Sequence, residues 1–179
     1  ARHRKALQTE MRRHRMSFGL IEVMKSSYRT LDEAESMSSF LANCFPDPER
    51  ALTGVSELLV NAVEHGNLGI SYAEKSQLRR DDRWNEEVAL RLAMPTHADK
   101  RVRVSLTRDD GALSIRIVDE GAGFDWHRYL EFDPARAFDP NGRGIALARM
   151  SGAATVEYQG CGNTVVLQMH KQQDTSQGT

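Results

Sequence analysis

The sequence predicts an α+β protein: a two-layer α/β sandwich with helices on one face of a mixed, mainly antiparallel sheet. Three observations predict it. Residues 102–108 and 112–118 each alternate apolar and polar side chains, and Asp109-Asp110-Gly111 between them is a good hairpin turn. Residues 154–159 and 163–169 form a second strand pair around Gly160-Cys161-Gly162. Ahead of both pairs, apolar residues recur at helical spacing, first at Leu31, Ala34, Met37, Phe40 and Leu41, then at Val55, Leu58, Leu59, Ala62 and Val63. With 179 residues, 40% of them apolar, the chain is long enough to bury one sizeable core.

In chain order, residues 1–15 hold six Lys/Arg and one Glu, about +5, against about −6 for the remainder. Their mixed Arg/Gln/Glu composition lacks stacking aromatics and a clear apolar face, which fits a basic helical connector to an upstream domain better than a nucleic-acid or membrane arm. A strand is expected within 18–29, followed by a helix over 31–45 that Pro46 and Pro48 break. Glu49 begins the next helix. Residues 70–100 form a charge-rich insert. Trp84, Val88 and Leu92 at i, i+4 spacing make part of it helical, either as a docking surface or as a helix packed by its tryptophan. Residues 124–141, with Trp126, Tyr129, Phe132 and Phe138, read as a structured loop able to close over a ligand. Residues 171–179 read as a flexible tail.

Three short blocks carry the chemistry. In Glu57-Leu-Leu-Val-Asn61-Ala-Val-Glu64-His65-Gly66-Asn67, the residues Glu57, Asn61 and Glu64 stack on the helix side opposite the apolar stripe. Alone they read as an ordinary solvated face. Yet Asn is a middling helix former, and its oxygen suits Mg²⁺, which takes hard oxygen ligands and keeps several waters. In Asp119-Glu-Gly121-Ala-Gly123-Phe-Asp125, a carboxylate leaves a strand into a glycine turn. A buried carboxylate there can accept from the exocyclic amine of adenine and discriminate against bases lacking that donor; the plainer reading is a turn. In Asn141-Gly142-Arg143-Gly144-Ile145, two glycines precede a helix, where backbone N–H groups attract phosphate. The Walker-type phosphate loop is absent, and Asp119-x-Gly-x-Gly lacks the third glycine of a dinucleotide-binding turn.

In this order the blocks resemble the N, G1 and G2 boxes of the GHKL ATPase superfamily, which includes gyrase and the ATP domains of histidine kinases. His65-Gly66 and the late segment Gly160-Cys-Gly162-Asn-Thr164-Val-Val-Leu167 resemble its anti-sigma-factor serine/threonine kinase branch. The resemblance covers roughly residues 16–170 and implies the Bergerat ATP-binding fold with ATP and Mg²⁺ as cofactors. It implies Glu57 as general base, Asn61 as Mg²⁺ ligand, Asp119 as reader of adenine, Gly121 and Gly123 as shapers of its pocket, and Thr164 as a contact to the base. Gly142, Arg143 and Gly144 would close over the phosphates. Arg143 either stabilises the transferring phosphoryl group or faces a partner. His65 caps or packs the helix end.

The implied reaction is phosphorylation of a STAS-domain anti-anti-sigma protein in a bacterial partner-switching pathway. A sigma factor or other regulator is a further possible partner, and relatives often pair as homodimers. The alternatives are an ATP-binding switch module without phosphotransfer and a histidine-kinase catalytic domain. No nucleic-acid or membrane partner is expected: no apolar run approaches the roughly 18–20 residues of a membrane span, and no signal peptide is visible. Cys44 and Cys161 make no disulfide framework or metal spacing, which suits a reducing cytoplasm.

Overall fold

The computed structural model describes residues 13, 16–110, 112–124 and 154–169. The connector apart from Arg13, the loop expected over 124–141 apart from Phe124, the glycine box at 141–145 and the tail lie outside the described residues.

Strand β1 (Val23–Tyr28) leads into helix α1 (Leu31–Ala42) through a capping box. The Thr30 hydroxyl accepts from the Glu33 N–H at 3.2 Å, and the Glu33 carboxylate accepts from the Arg29 and Thr30 N–H groups at 2.7 and 3.0 Å. This helix ends three residues before the 45 expected. Pro46 disfavours helical geometry at Phe45, and the chain leaves in tight turns in which Cys44 and Phe45 donate to Leu41 and Ala42. Asp47 then caps α2 (Pro48–Asn61), with Pro48 in the first turn, where its missing N–H costs nothing. Residues Ala62–Asn67 continue α2 as a wider π turn. The insert folds as α3 (Tyr72–Arg80), α4 (Trp84–Ala93) and the short α5 (Pro95–Ala98). Strands β2 (Val102–Asp109), β3 (Ala112–Val118), β4 (Ala154–Gln159) and β5 (Thr164–Met169) complete the described chain.

The sheet order is β1-β2-β3-β5-β4, and every neighbouring pair is antiparallel. The sheet is therefore not mixed among the described residues. Two of the pairings are hairpins, β2–β3 over Asp110 at φ +45° and β4–β5 over Gly160 and Gly162 at φ +62° and +98°. Register places Val104 opposite Ile117 and Leu106 opposite Ile115, all buried, while Arg103 and Arg116 point to solvent on the other face. The buried face joins one core with Ala34 and Leu41 of α1 and Val55, Leu58 and Leu59 of α2. The Tyr28 hydroxyl donates to the Leu59 carbonyl at 2.7 Å and so ties the edge strand to α2. No described helix is long and apolar enough to cross a membrane.

Candidate functional site

The end of α2 and the end of β3 meet over the sheet and enclose a cavity of about 590 Å³, within the usual range for a small-molecule site. Leu58, Ile70, Phe124, Tyr158 and Val165 give it apolar walls; Asn61, His65, Lys100, Asp119 and Asn163 supply the polar groups. Phe124 and Tyr158 meet edge to face, centroids 5.1 Å apart, and form one rigid side.

The inner end is set by backbone approach. Asp119 follows β3 on the buried side of the strand alternation, and its Oδ1 accepts from the Gly121 N–H at 2.8 Å. A Cβ at residue 66 would lie 2.4 Å from the Asp119 carboxyl carbon, and one at residue 121 would lie 2.4 Å from the Gly66 carbonyl oxygen. Gly66, Asp119 and Gly121 thus interlock at a distance that no side chain tolerates. Gly123, at φ +79°, stacks equally closely on the Cys161 carbonyl, 2.1 Å from where a Cβ would stand. Burial raises the Asp119 carboxyl to about 6, while the Gly121 N–H and the Lys100 charge act to lower it. It is a carboxylate at neutral pH and eager for a hydrogen-bond donor.

The other polar end belongs to α2. Asn61 lines the cavity, and its Oδ1 has no hydrogen-bond partner among the described residues. A buried amide oxygen left in this way ordinarily costs about 1–3 kcal/mol, so its presence points to a ligand or ion that completes it. A neutral, hard oxygen of this kind fits Mg²⁺. Glu57 lies one turn earlier, half-buried, and is not part of the cavity wall.

Between the two ends the helix changes form. Leu68 donates to the Val63 carbonyl at 2.9 Å, an i to i−5 bond of the kind that marks π turns, which cluster at functional sites. The widened turn corrects the single ridge expected from helical spacing. Glu64 does not face the cleft with Glu57 and Asn61 but is buried at 2% exposure, paired with Lys75 of α3. His65 Nδ1 bonds the Ile70 carbonyl, which can only accept, so that nitrogen carries the proton. Its ring lies on Tyr72, centroids 4.0 Å apart. Burial depresses His65 to about 4 against the opposing pull of the Ile70 bond, with Lys75 adding to the depression, so it is neutral at pH 7.

The structure thus brings Asn61, Asp119 and Gly123 into one wall, with Gly121 behind Asp119 and Glu57 beside the wall. Gly142, Arg143 and Gly144 lie outside the described residues. Thr164 is placed differently from the expected base contact. It pairs with Val118, while its neighbour Val165 pairs with the inward Ile117, so strand alternation turns Thr164 to the far face. Asn163 and Val165 line the cavity in its place. Lys100, Tyr72 and Tyr158 were missed by sequence reasoning. Tyr158 carried a signal, its alternation with Val156 in β4, but nothing local marks Lys100 or Tyr72.

Apolar walls, a buried carboxylate acceptor and a partnerless amide oxygen suit a flat heterocycle carrying an amine and a charged tail. The family model for the histidine kinase-like ATPase domain matches residues 35–169. No curated protein gives a significant match to the chain.

Proposed function

The chain belongs to the histidine kinase-like ATPase domain family, within the GHKL superfamily, and on that premise we propose that it is an Mg²⁺-ATP-dependent protein serine/threonine kinase of the anti-sigma-factor type. The observation that carries this reading is the pairing, in one cavity, of a partnerless Asn61 oxygen with the buried Asp119 carboxylate. Asp119 accepts from the adenine amine, and Asn163 and Val165 flank the base. Asn61 would hold Mg²⁺ through its partnerless oxygen, and the ion would supply charge neutralisation to the phosphates. The family resemblance assigns the phosphate tail to Gly142, Arg143 and Gly144, which lie outside the described residues.

In the transfer step the acceptor hydroxyl oxygen forms a bond to the γ-phosphorus, and the bond from that phosphorus to the β–γ bridging oxygen breaks. ADP leaves with the electron pair, and Glu57 takes the hydroxyl proton. The acceptor is a serine or threonine of a STAS-domain protein, where the added charge breaks an interface by repulsion and desolvation.

A second reading follows from the position of Glu57 outside the cavity wall: an ATP-binding switch that alters a partner surface without transfer. Labelled-phosphate transfer from γ-labelled ATP to candidate STAS proteins separates the two. The kinase reading predicts label on the acceptor with wild type and none with Glu57→Ala, which still binds ADP. Intact transfer by Glu57→Ala would remove Glu57 as base. ATP-dependent partner binding without label would replace the kinase by the switch.

A further inference from the structure

The 71–100 segment sends three cations to one target. Lys75 in α3, only 6% exposed, pairs its Nζ with the buried Glu64 carboxylate. Arg91 in α4 donates to the Leu68 carbonyl at 3.0 Å. Lys100, just before β2, donates to the Asn67 carbonyl at 3.2 Å. The Glu64 carboxylate and the Asn67 carbonyl belong to the widened turn that closes α2 and the Leu68 carbonyl to its C-cap, where the last carbonyls lack partners within the helix.

These cations are themselves held. Lys75 sits over the Trp84 ring, 5.3 Å from its centroid. Arg91 is fixed by Glu87 at 2.7 Å and by Glu74. Surface lysines would satisfy a helix C-terminus through its dipole alone. Burying both charges of the Glu64–Lys75 pair is a poor route to stability, because desolvation offsets the attraction. What the pair fixes is position. The same turn presents Gly66 to Asp119 and to Gly121 at distances of 2.4 Å from any added Cβ, so a small displacement of the turn moves the wall behind Asp119.

We propose that Lys75, Arg91 and Lys100 are positioning residues: the 71–100 segment is a brace that sets the Glu64–Leu68 turn against Asp119 and thereby sets nucleotide affinity. The inference rests on the cavity being the nucleotide site. It gives the segment a role within the domain, with Trp84 holding Lys75 against the turn.

The test is calorimetric titration of the full chain with ADP, well below each variant's unfolding temperature, alongside the midpoint of thermal unfolding without nucleotide. Arg91→Gln and Lys75→Met should weaken ADP roughly ten- to hundredfold. Arg83→Gln is the control, since among the described residues its exposed side chain pairs only with Glu86, at 3.4 Å; it should stay within about twofold. Glu64→Gln/Lys75→Met removes both buried charges, so the midpoint should recover relative to Lys75→Met while affinity stays low. A merely structural pair would recover both together, and that result, or unchanged affinity in Arg91→Gln, overturns the brace. If Lys75→Met does not fold, the double variant and Arg91→Gln decide. Absence of ADP binding by wild type would instead overturn the nucleotide reading, and the brace with it.

Discussion

The centre of the sheet and the turn that ends α2 are built on opposite principles. In β2 and β3, buried Val104, Leu106, Ile115 and Ile117 alternate with polar residues, and the arrangement needs only apolar volume at a period of two. In the turn, Glu64 and Asn67 are each 2% exposed, Lys75 is buried against the former, and Gly66 touches Asp119 where no Cβ fits. The sheet rests on an interchangeable property, whereas the turn rests on individual atoms. Stability should therefore concentrate in the first region and ligand discrimination in the second.

That division can be broken most forcefully from the sheet. Ile115→Ala should lose about 2–5 kcal/mol by denaturant unfolding, while the molecules that remain folded bind ADP as wild type does. A large affinity loss in them would erase the distinction. Gly121→Ala should cost less stability, about 1–3 kcal/mol, because its Cβ meets the Gly66 carbonyl rather than a flexible side chain. Its ADP affinity should fall far more than that of Ile115→Ala. Gly69→Ala sharpens the contrast within the turn: φ is +63° but nothing lies within 4 Å of the added Cβ. Only backbone strain of about 1 kcal/mol is expected, read by denaturant unfolding.

Protonation of Asp119 probes the same division through pH. Burial lifts Asp119 from 3.8 to about 6, so the folded protein holds this proton more tightly than the unfolded chain. The stabilisation from its protonated form is complete below about pH 4 and is lost as pH rises through about 6. Asp119→Asn should thus make the nucleotide-free protein slightly more heat-stable at pH 8. Nucleotide binding has the opposite sign, because the carboxylate is the acceptor: affinity should fall by up to about tenfold per unit below pH 6. Calorimetry between pH 5 and 8 checks this; a flat profile would mean that Asp119 is not the acceptor.

The same division explains what could be read in the sequence. The strands at 102–108 and 112–118 were legible to within a residue, because alternation and the Asp-Asp-Gly turn are local signals. One of the insert's three helices, α4, was legible from Trp84, Val88 and Leu92; α3 and α5 were not. The inward turn of Glu64 was not, since periodicity assumes an unbroken α-helix and the partner that Glu64 meets inside is a lysine eleven residues later. Nor was the placement of Thr164, where a one-residue offset in a strand reverses the face. Lys100 reaches the site only through tertiary packing, from an insert that the sequence marks as charge-rich without singling out this lysine.

The most direct test of the central claim is calorimetric titration with ATP, with and without Mg²⁺, of wild type and Asp119→Asn. The account predicts Mg²⁺-dependent binding by wild type that Asp119→Asn loses. Binding that survives in Asp119→Asn, or none by wild type, would contradict it.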